Sequence, residues 1–367
     1  MINKIFLNGI KSALAILLLQ ASSSALAFTL IELPASNYSP GASVTDSTTF
    51  NTQIRPVIGA IQAHLLNARR SGKSRKSAQA SNVLASNSYA ETMSDADFIK
   101  VSSHGGNDNS GSRSLWLNST STTFDNDFSG TKHNGDQHML LAGFDFTFTD
   151  RYIFGVAVSF ETSNINTEFN LGNLEMDGFS INPYFAYLIS DSWSIDLSLG
   201  YGSFETDQYR TPTPLLLPAT VDSNFDSTRD FVASNLSYSG IRGDWYLTGW
   251  FGLLLANKDQ DSYEESDATA VDGQSLDMEL WSLGGEAAYG SGAAETYFSL
   301  VYEVDNDLNE LEFTTGDQPA NDDDSMLLSI GWRYYGGDLV ANIEFSSRQG
   351  ADDVTENSIS STLRIDL

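Results

Sequence analysis

The final stretch of this chain reads as two interleaved series. Ile359, Ser361, Leu363, Ile365 and Leu367 hold one parity, while Ser360, Thr362, Arg364 and Asp366 hold the other. A period of two marks a strand with one apolar and one polar face. The pattern recurs upstream. Leu140, Ala142, Phe144, Phe146 and Phe148 oppose Gly143, Asp145 and Thr147; Tyr152, Phe154, Val156, Val158 and Phe160 oppose Ser159 and Glu161. Trp193, Ile195, Leu197, Leu199 and Tyr201 oppose Ser194, Asp196 and Ser198, and Met326, Leu328, Ile330, Trp332 and Tyr334 form another face. Shorter runs around Leu115–Thr122, Phe179–Tyr187, Phe298–Tyr302 and Leu339–Phe345 repeat it, while Val232–Tyr238, Trp245–Leu255 and Trp281–Tyr289 alternate less cleanly.

Such a series predicts an all-β fold: an antiparallel barrel of about 12 strands with its apolar face outward, over residues 113–367. Short turns are expected at Thr149–Arg151, Ser190–Ser192, Arg242–Asp244, Gly290–Ala293 and Gly336–Asp338. Longer polar loops are expected at Thr123–Asp136, Ser163–Leu174, Tyr209–Asp226, Asp259–Gly273 and Asp305–Asp324. An outer-membrane barrel has short periplasmic turns and long external loops, and an even strand count puts both barrel ends on the periplasmic side. Pro183 lies within a strand pattern and removes a ladder donor, so a bulge or kink is expected there.

The N-terminus carries a secretory signal. Lys4 and Lys11 supply positive charge, Ala13–Leu19 a short apolar core, and Ala25-Leu26-Ala27 a small-x-small site, which predicts cleavage between Ala27 and Phe28. The apolar run is too short for a spanning helix, so a membrane crossing falls to strands. A net charge of −29 argues against nucleic-acid partners, and the absence of cysteine excludes disulfides and thiolate metal sites.

Parity assigns Asp145, Glu161, Asp196, Glu286, Glu303, Arg333, Glu344 and Arg364 to a polar, net acidic lumen. Phe148, Tyr152, Tyr187, Trp193, Trp245, Tyr289 and Tyr334 flank the short turns on the outward parity, as rings at a membrane–water interface do. Residues 28–112 differ in texture, being rich in Ser, Ala and Asn.

The run from Leu115 to Leu367 resembles the translocator barrel of autotransporters, the type V secretion proteins. The resemblance is carried by "MLLAGFDFTFTDRYIFGVAVSFETSNINTEF", "GFSINPYFAYLISDSWSIDLSLGYGSFETDQYRT", "WSLGGEAAYG" and "GWRYYGG". It implies an upstream helix that threads the lumen. The counterpart here is a helix over about 50–70, in which Phe50, Ile54, Val57, Ile58, Ile61 and Leu65 recur at helical spacing. Pro56 would fall in its first turns. The basic cluster Arg69, Arg70, Lys73, Arg75 and Lys76 follows, and an acidic pore would hold it by charge, making the segment a plug. An amphipathic helix that stays in the periplasm is the alternative.

The resemblance further implies export of a passenger, here short, and insertion by the barrel-assembly machinery. Family barrels commonly end in Phe or Trp, whereas this chain ends in Leu367. The expected partners are outer-membrane lipid, lipopolysaccharide and the secretion and assembly machinery, with the barrel a monomer. A passive pore and a surface adhesin acting through the acidic loops are the alternatives.

No cofactor is expected and no catalytic motif is present. The chain has no Gly-Asp-Ser-Leu block, no Gly-x-Ser-x-Gly and no paired His–carboxylate motif. His138, with Ser121 and Thr122 across the ladder, reads as a solvated rim histidine. The runs Asn321–Asp324, Asp259–Asp261 and Glu264–Glu265 lack the spacing of a calcium loop.

Overall fold

In the computed structural model twelve strands close into one antiparallel barrel. They are β1 (Ser112–Asn126), β2 (His133–Phe148), β3 (Tyr152–Thr167), β4 (Gly172–Leu188), β5 (Trp193–Arg210) and β6 (Val221–Arg242). The ring continues through β7 (Trp245–Gln260), β8 (Gln274–Ser291), β9 (Ala294–Asp305), β10 (Asp324–Gly336), β11 (Leu339–Gln349) and β12 (Val354–Asp366). A long helix, α1 (Ser47–Leu84), precedes them. The structure describes residues 30–31, 40–41, 47–84, 112–128, 130–149, 151–212, 220–291, 293–306, 312–313, 324–350 and 353–367, with α1 described as backbone alone beyond residue 69. The signal segment and the Ala27–Phe28 cleavage position lie outside the described residues.

Each strand pairs with its sequence neighbours, and the ring closes where β12 pairs with β1, from Val354↔Asn126 to Asp366↔Ser114. The Leu367 N–H donates to the Arg113 carbonyl, so both barrel ends sit with the short turns. Alternation sorts the side chains by face. Phe160 is 59% exposed outside, and its neighbour Glu161 is 1% exposed inside.

The strands tilt, as closure of a sheet requires. One row of Cα partners runs Ser114, Asp145, Gly155, Tyr184, Ser198, Ala233, Leu254, Leu280, Asp305. It starts at the turn end on β1 and finishes at the loop end on β9, so such rows climb as they pass round the wall.

Several expected loops are ladder instead. β3 runs to Thr167 and β4 starts at Gly172, leaving residues 168–171 between them. Thr162, Asn164 and Asn166 continue the outer parity there, and Ser163, Ile165 and Thr167 the inner one. With the outer face polar and the inner one mixed, the outward-apolar period fades, yet backbone pairing continues. The connection after β7 holds its own small hairpin, Tyr263–Glu264 with Ala270–Val271.

Pro183 makes no bulge. The β4–β5 register runs Ile181↔Tyr201 and resumes at Tyr184↔Ser198 without a slip, while Val156↔Pro183 is kept on the β3 side. The missing N–H costs two bridges on one side only, and the ring faces outward, where it is exposed.

Candidate functional site

The helix lies inside the barrel. Phe50, Ile54, Val57, Ile61 and Leu65 are each 1% exposed or less, and Ile58 and Ala68 are buried with them. They pack against inward side chains of the wall: Met139 and Leu141 on β2, Ala157 on β3, Phe231 on β6, Leu254 on β7, Leu276 and Met278 on β8. Full burial of one such side chain contributes about 1.5–3 kcal/mol. The lumen is therefore apolar along one side, which is a change from the polar, net acidic pore read from parity.

The helix has a direction. At the loop end, the Arg55 guanidinium meets Glu303 at 2.5 Å and Glu356 at 2.8 Å, and the Thr52 hydroxyl donates to Glu356 at 3.1 Å. At the turn end, Arg69 lies 3.9 Å from Asp196. Further upstream, the Gly41 N–H donates to the Gln208 side chain at 2.6 Å, near the loop end of β5. Leu30–Ile31 pairs in parallel with Glu312–Phe313 in the β9–β10 connection. The chain thus passes from the loop end, through the pore, to the turn end where β1 begins.

Pro56 lies well inside α1 rather than in its first turns, because the helix begins at Ser47. Its missing N–H and its ring open the preceding turn. In that turn the Gln53 carbonyl accepts from Gln137 Nε2 at 3.0 Å and from Arg229 at 3.5 Å, while Lys258 Nζ donates to Gln53 Oε1 at 3.3 Å. Three strands thereby grip one helical turn.

Lower down, His64 is fully buried. Its Nε2 lies 2.6 Å from Asp145 Oδ2, and its ring stacks on Trp116 with centroids 4.3 Å apart. Trp116 Nε1 donates to the Tyr184 hydroxyl, which donates to Asp145 Oδ2 at 3.2 Å, and Ser114 donates to Asp145 Oδ1 at 2.7 Å. Two glycines make room. A Cβ on Gly143 would overlap the Trp116 indole, and one on Gly155 would overlap the Tyr184 ring. The aromatic rings lie flat over the neighbouring strands because nothing projects beneath them. The arrangement holds an imidazole; Ser114 bonds the carboxylate, not His64, so no nucleophile–base pair is formed.

The other parity-assigned residues all lie on the inner wall. Arg229 meets Glu161 at 2.6 Å, Arg333 meets Glu286 at 2.7 Å, and the Arg333 guanidinium sits 3.5 Å above the Tyr297 ring. Tyr297 donates to Glu344 at 2.6 Å, and Arg364 lies 4.0 Å from Asp145. Several of these acids pair with wall cations, leaving less charge for the helix. The inward cations Arg210, Arg229, Lys258 and Arg348 were not singled out in the sequence, nor was Arg55, which makes the closest described ion pairs between helix and wall. Of the basic cluster, Arg69 reaches the wall; for Arg70, Lys73, Arg75 and Lys76 the helical backbone alone is described. Beside the helix a cavity of about 100 Å³ is left, lined by Asn51, Arg55, Gln62, Asn235 and Glu303 among others.

Outside, the turn-end aromatics pair across strands. Tyr152 stacks on Tyr187 at 4.9 Å, Trp193 meets Tyr238 at 5.1 Å, and Trp245 meets Tyr289 at 5.1 Å. Phe148 lies 6.3 Å from Phe154, and Tyr334 stacks on Trp332. In the acidic loops, Glu265 is buried against Arg210 at 2.6 Å. Hydrogen bonds from the Thr269 hydroxyl and backbone, with Arg210 nearby, hold the Asp267 carboxyl below the usual carboxylate range. Asp324 accepts from Tyr302, and residues 321–323 lie outside the described residues. Among the described residues no group of three His, Asp or Glu side chains is placed to hold a metal ion. His138 is exposed, opposite Ser121 and 3.4 Å from Asp136.

The wall and its threaded helix match known proteins. Residues 115–341 match the family model "Autotransporter beta-domain". The chain is 25% identical over 238 residues to the "Uncharacterized protein YaiT" of Salmonella typhimurium, covering 62% of this chain and 23% of that protein. It therefore spans about a quarter of the length of the curated relatives it matches. Among solved structures, it resembles the translocator domain of the autotransporter NalP from Neisseria meningitidis, with TM-score 0.57 and 12% identity, covering 71% of this chain and 89% of that one. The beta domain of the Bordetella autotransporter BrkA gives TM-score 0.58 and 14% identity, covering 69% and 98%. Twelve strands closed around a helix that enters at the loop end, with the family's sequence pattern along the wall, place this chain in the autotransporter β-domain family as a translocator barrel.

Proposed function

We propose that the chain works in the bacterial outer membrane as a non-enzymatic translocator whose upstream segment has already crossed to the outside. The observation that carries this is the direction of the helix: Gly41 bonds at the loop end and Arg69 sits at the turn end. With the loops outside the cell, residues 28–46 form a short surface passenger, α1 plugs the pore, and the segment to residue 111 is a periplasmic linker. The outer wall faces lipid, and lipopolysaccharide meets the loop end. The barrel-assembly machinery inserts the ring, and the barrel acts as a monomer.

An epitope inserted beside Ser39 tests the export. Added protease should remove it from intact cells, and protection of the tag on cells whose loops are accessible would overturn the reading. Deleting residues 50–76 tests the plug. Single-channel conductance in a planar bilayer should rise from near zero to that of an open pore, and an unchanged trace would end the plug.

A further inference from the structure

The outer wall is not uniformly apolar round its circumference. Five outward positions in succession are apolar on β2 (Leu140 to Phe148), on β5 (Trp193 to Tyr201) and on β10 (Met326 to Tyr334). On β1 the band consists of Leu115 and Leu117, after which the outward positions are Ser119, Ser121, Thr123 and Asp125. β12 beside it carries Ile359, Leu363 and Ile365, with Ser361 between them and Asn357 above. Ser361 is the Cα partner of Ser119, so the two hydroxyls sit side by side on the outer face.

Height makes the contrast sharper. The row through Ser119 continues as Leu140, Phe160 and Phe179, all outward and exposed. Such rows climb from β1 toward β4, so Ser119 lies nearer the turn end than Phe179 does. A hydroxyl stands on β1 where the wall further round still shows phenyl rings.

Acyl chains cannot hydrogen-bond a hydroxyl, and burying it unpaired in hydrocarbon is costly. A shortfall of apolar height is met by thinning the adjacent bilayer at modest cost. We infer that the β12–β1 seam is a lipid-headgroup-binding notch in the barrel's apolar belt. The headgroup layer on the loop side dips along β1 to meet Ser119, Ser121, Thr123 and Ser361.

Two features favour headgroups over a docked protein. The seam ladder is complete from Val354↔Asn126 to Asp366↔Ser114, so no strand edge is free for addition. The hydroxyl side chains are short, and the patch lacks the aromatic or arginine anchor that protein interfaces centre on. The inference rests on the outer wall facing lipid, as proposed above.

The chain has no cysteine, so single cysteines can report depth on an otherwise native protein. The full chain carrying Ser119→Cys, Ser121→Cys, Phe160→Cys or Phe179→Cys would be folded into dioleoylphosphatidylcholine vesicles and nitroxide-labelled. Labels at 160 and 179 should collide mainly with oxygen, as in hydrocarbon. Labels at 119 and 121 should collide mainly with a water-soluble nickel chelate. Oxygen-dominated collisions at 119 and 121 equal to those at 179 would overturn the notch. Shielding from both reagents would overturn it in favour of a covering second copy. Water-like collisions at 160 and 179 would instead sink the lipid-facing reading beneath it. Separately, the native chain should insert faster into dilauroyl than into dioleoyl vesicles, and the triple variant Ser119→Leu, Ser121→Leu, Ser361→Leu should narrow that preference. An unchanged preference in a folded triple variant would also overturn the notch.

Discussion

Inside the ring, β6–β8 and β9–β12 treat the same helix differently. β6–β8 offer Phe231, Leu254, Leu276 and Met278, and the helix meets them with apolar side chains. β9 and β12 offer Glu303 and Glu356, and the helix meets them with Arg55. Apolar contact is non-directional and scales with area, so the apolar groups of the first side supply attraction without fixing depth or rotation. The Arg55 ion pairs, with the Gln53 contacts from β2, β6 and β7, work at fixed geometry and set both. A plug needs the two kinds of contact together: one to make occupancy favourable, the other to decide where the helix stops.

Removing charge partners from the ionic side should have the largest effect. Glu303→Ala with Glu356→Ala leaves Arg55 buried and uncompensated, at a cost of about 3–5 kcal/mol. Hydrogen exchange of α1 amides should quicken accordingly, and the pore should open in single-channel recordings. On the apolar side, Ile61→Ala should cost about 3 kcal/mol by loss of transfer energy plus a cavity. It should raise exchange along the whole helix without shifting its register, read by cross-linking of paired cysteines at the mouth. A register shift in that variant would erase the division between the two sides. His64→Ala removes a charge-assisted hydrogen bond and a stacked ring, for about 2 kcal/mol. Replacing the whole cluster, Arg55→Met with Glu303→Leu and Glu356→Leu, should be the mildest, about 1 kcal/mol or less, because no buried charge is left without a partner. If that triple variant were as damaging as the double carboxylate variant, the ionic side would be a source of strength and not of position.

The wall was largely legible in the sequence, for a physical reason. A strand between lipid and a polar interior must alternate, and β2, β5 and β10 do. Where the inside also packs the helix, alternation blurs locally: Leu253, Leu254 and Leu255 on β7 face out, in and out, and Met139, Leu140 and Leu141 on β2 face in, out and in. The upper ladder was hidden because its outer face turns polar, as at Thr162, Asn164 and Asn166, while its inner face mixes Ser163 with Ile165. The seven flanking aromatics stood out because their parity is outward. Arg55 and His64 did not, since their partners Glu303, Glu356 and Asp145 lie far along the chain and no local spacing links them. Gly143 and Gly155 were equally silent, because each is explained by a ring on the next strand.

The pairing of Asp366 with Ser114 has a consequence for the order of assembly. The two residues lie at opposite ends of the barrel sequence, so this last contact carries the greatest loop-closure entropy of the ring. Once it forms, α1 is a bolt in a closed collar, able to move lengthwise but not sideways. Threading must therefore be finished before the collar shuts, or be done by axial travel afterwards, and β12 is the element whose docking separates those two histories.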